Sequence, residues 1–113
     1  MITNYLYLNR ELLDDVKGTL GSILVITKRR TDAVNFYNEL LGSYKDTTGS
    51  VLCDTGNLTV SSKPNKIVVK AVEKTEDLDH LRGQIFTKVY AVGFYSDEEM
   101  DFLNTFLLRP RAE

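Results

Sequence analysis

The run Ser22-Ile23-Leu24-Val25-Ile26-Thr27 constrains the fold of this chain more than any other segment. In an extended strand successive side chains point to opposite faces, so an unbroken aliphatic run projects apolar groups both ways. Both faces must then be covered, which is the usual state of a strand inside an α/β sheet. The expected covering layers flank it. Residues 9–16 read as a short helix with Asn9 as cap and Leu12, Leu13 and Val16 on one face, broken by Gly18 and Gly21. After the run come Lys28-Arg29-Arg30 and Thr31, an N-cap residue type. Ala33, Phe36, Tyr37, Leu40 and Leu41 then recur at helical spacing until Gly42, where a terminating glycine belongs.

The remainder reads as strands closed by a helix. Residues 50–53 form a short strand candidate. Residues 58–61 and 66–72 flank Lys63-Pro64-Asn65, the pattern of a hairpin around a proline-initiated turn. Residues 76–81 have room for one or two helical turns before Gly83, and residues 86–94 form the last strand. Ser96 with Glu99 makes a capping box, and behind it Met100, Leu103, Phe106 and Leu107 draw the stripe of a helix that ends before Pro110. The predicted order, α-β-α-β-β-β-α-β-α, is that of an α/β protein: a single domain with a mixed central β-sheet flanked by helices. Residues 1–21 would be a helical lead-in, 22–108 the sheet and helices, and 109–113 a basic tail.

Composition narrows the function classes. With 113 residues, 42% of them hydrophobic and 27% charged, the chain suits one globular domain with a real core. Its net charge of −2 sets up no global field toward nucleic acid or an anionic membrane, so any such contact must be local. The single cysteine, Cys53, has no internal disulfide partner. The amino terminus lacks the basic start and long apolar run of a signal peptide, and the apolar stretches fall far short of the ~20 residues that span a bilayer. A soluble, cytoplasmic protein without membrane contact is expected.

Several clusters were weighed for chemistry. Lys28, Arg29 and Arg30 lie between a buried strand and a helix start, the place where open α/β sheets bind ligands and where anions are favoured. Arg109 and Arg111 would extend that patch. Asp97, Glu98, Glu99 and Asp101 are better explained by helix electrostatics than by a metal, since they sit in or near a first turn and no Asp-x-Asp-x-Asp-Gly loop accompanies them. The only histidine, His80, reads as a surface residue, and Cys53 as a small core residue rather than a nucleophile. No Cys/His spacing suits zinc. Phe86, Lys88 and Tyr90 alternate as in base-stacking sheets, but the paired aromatic motif of RNA-recognition sheets is missing.

Part of the chain resembles a known family. Ile67-Val68-Val69-Lys70-Ala71-Val72, then Asp77-Leu78-Asp79-His80-Leu81-Arg82-Gly83-Gln84, then Val89 through Glu99 resemble part of the ATPase core of phage large terminases. There a strand is followed by a leucine-(Arg/Lys)-Gly turn, the Walker B strand and a helix. Residues 22–41 are similar to the strand and helix that follow the Walker A unit in that family and in related helicases. The resemblance spans most of residues 22–111 and implies a phage-encoded protein with a degenerate P-loop ATPase core. The departures are specific. No Gly-x-x-x-x-Gly-Lys-Ser/Thr loop occurs, Lys17-Gly18-Thr19-Leu20-Gly21 precedes the strand instead of following it, and Gly93-Phe94 stand where adjacent acids would be. A relative that binds rather than hydrolyses is implied.

The sequence therefore predicts a small non-catalytic binding protein with no cofactor and no metal, acting on a protein partner. Its candidate contact residues are Lys28, Arg29, Arg30, Tyr44, Tyr95, Arg109 and Arg111. The alternative is a nucleic-acid-binding accessory factor using the Lys28-Arg29-Arg30 patch. Homo-oligomer formation through an exposed edge strand, such as residues 58–61, is a further option.

Overall fold

A computed structural model describes residues 2–44, 51–62, 65–73, 77 and 86–107. Among these residues the elements are ordered β1 (Thr3–Tyr5), α1 (Arg10–Gly18), β2 (Ser22–Thr27), α2 (Arg30–Ser43), β3 (Leu52–Asp54), β4 (Thr59–Ser62), β5 (Asn65–Ala71), β6 (Lys88–Val92) and α3 (Asp97–Leu107). The strands form one six-stranded sheet in the order β1-β6-β2-β5-β4-β3. β1, β6, β2 and β5 run parallel; β4 and β3 complete the sheet antiparallel, so it is mixed.

β2 lies at the centre, and Ile23, Leu24, Val25 and Ile26 are all fully buried. Ile23 and Val25 pack with Leu12, Leu13 and Val16 of α1 and with Ala33, Phe36, Tyr37 and Leu40 of α2. Leu24 and Ile26 face the other way, with Val89 and Ala91 of β6 and Leu103 of α3. The two-sided burial read from the run thus has its cause in two helices on one face and one on the other. Burying each such side chain contributes roughly 1.5–3 kcal/mol.

The helix ends agree with the sequence in part. The Asn9 side chain accepts from Leu12 N–H at 2.9 Å, as its cap role predicts. The α3 capping box is reciprocal: Ser96 N–H donates to Glu99 Oε1 at 2.9 Å, and Glu99 N–H to Ser96 Oγ at 3.1 Å. α2, however, starts at Arg30 with Arg29 as its cap, not Thr31. The buried Thr27 hydroxyl donates to the Arg29 carbonyl at 2.8 Å and fixes the turn two residues early. Gly42 does not end α2 either. The helix runs through it to Ser43, whose hydroxyl donates to the Leu40 carbonyl at 2.7 Å.

Three expectations about strands are corrected. No strand was expected before α1, yet β1 pairs in parallel with β6. Residues 58–61 are not an edge: β4 sits between β5 and β3, while β1 and β3 form the edges. Leu58 itself is a buried turn residue at φ 48°, and β4 begins after it. Cys53 is not a core residue, because it lies on the outermost strand and is exposed. The hairpin is present, with Ser62 opposite Asn65, although Lys63 and Pro64 lie outside the described residues. So do the helical turns around 76–81 apart from Asp77, and so does the basic tail.

Candidate functional site

The parallel register brings four strand ends to one rim. Thr27 of β2 is level with Val92 of β6 and Ala71 of β5, and Val92 is level with Tyr5 of β1. The residues that leave these strands, Leu6, Lys28 and Gly93, therefore emerge side by side. β2 exits toward α2 on one face and β6 toward α3 on the other. Adjacent strands whose exits diverge leave a crevice between them, the usual ligand position in open α/β sheets. Lys28–Arg30 and Gly93–Ser96 are the segments that follow these two strands.

Lys28 is already engaged. Its Nζ lies 3.3 Å from Glu99 Oε1 and 5.0 Å from the centre of the Tyr95 ring. Its stem packs over Gly93, where φ is +124° and an added Cβ would meet Lys28 Cγ at 3.5 Å. Hydrogen bonding from the Ser96 backbone, with Lys28 second among the favourable contacts, holds the Glu99 carboxyl below the usual carboxylate range. Tyr95 has its hydroxyl buried without a hydrogen-bond partner among the described residues, and burial followed by the Glu99 charge pushes that phenol well above its ordinary value. Lys28, Tyr95 and Glu99 form a closed cluster that holds α3 against the end of β2.

Arg29 and Arg30 are exposed. Tyr44 is at the far end of α2, about 20 Å from the rim on the ~1.5 Å rise per helical residue. There the Lys17 ammonium sits 4.6 Å over its ring, and burial raises its phenol. Of the seven residues picked out from the sequence, Lys28 and Tyr95 meet each other, Arg29 and Arg30 adjoin them, and Tyr44 stands apart. Arg109 and Arg111 lie outside the described residues.

The rim also holds side chains that the sequence reading did not select. Tyr7 and Phe94 are 67% and 65% exposed, and their rings meet edge to face at 6.2 Å. Leu6 beside them is 49% exposed. The backbone beneath is tied down: Gly93 N–H donates to the Tyr5 carbonyl at 2.8 Å, and the Asn4 side-chain amide donates to the carbonyls of Ala91 and Gly93 at 2.9 and 3.2 Å. Next to it the Tyr5 hydroxyl bonds Asp15, which pushes its pKa up to about 12. Without β1, nothing in the sequence placed Leu6 and Tyr7 beside Phe94.

Asp97, Glu98 and Glu99 occupy the first turn of α3, where they complement the helix dipole. Among the described residues no three His, Cys, Asp or Glu side chains converge, and no helix is long and apolar enough to cross a membrane. Comparison with protein-family models, with curated proteins and with solved structures found no match to this chain.

Proposed function

We propose that this chain is a non-catalytic binding module that engages a protein partner through the rim at the carboxyl ends of its parallel strands. The observation that carries this reading is the Tyr7–Phe94 pair, exposed yet ordered against each other on a tied-down backbone. Single exposed apolar residues are ordinary, but exposed aromatics grouped together match the composition of binding hot spots. Rigid aromatics bury large areas at little conformational cost.

The chemistry of the Lys28, Tyr95 and Glu99 side chains supports binding over turnover. The Lys28 cation is neutralised, the Tyr95 phenol is buried, and Glu99 serves the cap of α3. The strand-to-helix loop after β1 reads Leu6-Tyr7-Leu8-Asn9, with leucine and tyrosine where a phosphate-cradling loop needs glycine and lysine.

A photo-crosslinking residue in place of Phe94 tests the reading in lysate of the source cells. Leu52, 70% exposed on β3, provides an equally apolar control away from the rim. A discrete protein adduct from position 94 and none from position 52 is expected. The same adducts from both positions, or none from position 94, overturn the proposal. An adduct that nuclease removes replaces the protein partner with nucleic acid.

A further inference from the structure

The basic turn is divided by the fold, and its second half points to a different site. Lys28 turns toward α3, whereas Arg30 reaches a cleft of about 580 Å³ lined also by Asp54, Thr59, Ser61, Lys66 and Lys70. The cleft follows from register. β4 pairs with β5 only up to Thr59 opposite Val68, while β5 continues along β2 to Ala71. The end of β5 therefore runs past the start of β4 and leaves a notch beside it. Arg30 enters from the turn after Thr27, which is level with Ala71.

Charge sets this notch apart. In a chain of net charge −2, Arg30, Lys66 and Lys70 each lack an ion-pair partner among the described residues, where the pairs are Arg10–Asp14 and Lys28–Glu99. The acid on the wall, Asp54, accepts the Asn57 side-chain amide at 2.7 Å and the Asn57 N–H at 3.3 Å, which holds its carboxyl below the ordinary value and occupies it within its own turn. Lysines on an edge strand are commonly explained as protection against pairing, but β5 is an interior strand with β2 and β4 on either side. Lys66 and Lys70 share one face of it by alternation, with Ser61 directly opposite Lys66. Three cations without an ion-pair partner among the described residues, and a hydroxyl, around one cleft call for a ligand carrying more than one negative charge. Lys66 and Lys70 are four residues apart, about 13 Å at ~3.3 Å per strand residue, which favours an elongated anion. Arginine adds a fork suited to phosphate oxygens.

We propose that this notch binds consecutive phosphate groups, independently of the aromatic rim. The two sources of that chemistry are a free polyphosphate and the backbone of a nucleic-acid strand. Inorganic tripolyphosphate, followed by calorimetry, and a labelled single-stranded oligonucleotide, followed by anisotropy, separate them at low salt. Lys66→Ala/Lys70→Ala should weaken binding of at least one probe about tenfold or more and flatten the salt dependence of oligonucleotide binding. Arg10→Ala/Lys17→Ala removes the same charge from α1, away from the notch, and should change it less than about twofold. Binding of tripolyphosphate assigns a free polyphosphate; binding of the oligonucleotide alone assigns a strand. The proposal fails if neither probe binds the parent protein, or if both double variants weaken binding equally. Unchanged melting of the double variants confirms that binding, not folding, is read.

Discussion

The centre of the sheet and its β3 edge both carry leucine, and the two leucines meet opposite fates. Ile23 to Ile26 on β2 are fully buried on both faces, whereas Leu52 on β3 is 70% exposed and Cys53 is open to solvent. Local pattern identifies a strand, but the strand order decides what covers it. β2 has a strand on each side, two helices on one face and one on the other; β3 has β4 alone as neighbour, and the described helices pack elsewhere. Stability is therefore concentrated in the parallel half, and surface chemistry in the rim and the outer strands.

That contrast is sharpest for leucine. Leu24→Ala on β2 should destabilise by about 2–5 kcal/mol, a large part of a small domain's stability, and Leu52→Ala on β3 should stay within about 0.5 kcal/mol. Urea unfolding of both variants checks this, and equal effects would erase the distinction. Leu103, 4% exposed on α3, tests whether the second face matters as much as the first. Leu103→Ala should also fall in the range of about 2–5 kcal/mol, toward its lower part since α3 alone supplies that helical cover among the described residues. A melting midpoint unchanged from the parent would show that α3 does not pack as described.

Ser96→Ala should cost about 1 kcal/mol, the usual worth of an N-cap, read from the same unfolding curves. The pH dependence follows with its sign. The folded Glu99 carboxyl sits below its ordinary value, so its contribution is present above the usual carboxylate range and lost as pH falls through the depressed pKa. The stability gap between the parent and Glu99→Gln should therefore be widest near neutral pH and close in acid. A gap that does not change with pH would remove the charge of Glu99, and its contact with Lys28, from the account.

Much of the fold was legible because it rests on local rules. The two-faced β2 run, the Asn9 cap and the Ser96–Glu99 box each follow from a few adjacent residues. β1 was not legible: Thr3-Asn4-Tyr5 is short and partly polar, and it is a strand only because β6 lies beside it. The start of α2 was misplaced because a buried hydroxyl on β2, Thr27, sets it from outside the helix. The site was legible in its position and not in its membership. The basic turn does follow β2 at the rim, but packing through space set Lys28 against Glu99 and put Arg30 in one cleft with Lys66 and Lys70. Tyr7 and Phe94 meet across the whole length of the chain, which no local pattern reports.

The rim aromatics, proposed above to serve binding, should contribute little to folding. The most direct test is the double variant Tyr7→Ser/Phe94→Ser, measured for unfolding and for capture of the partner identified by crosslinking at position 94. The account predicts stability within about 1 kcal/mol of the parent, as for surface substitutions, and partner affinity lowered at least about tenfold. A variant that loses several kcal/mol of stability, or one that folds and binds like the parent, would contradict it.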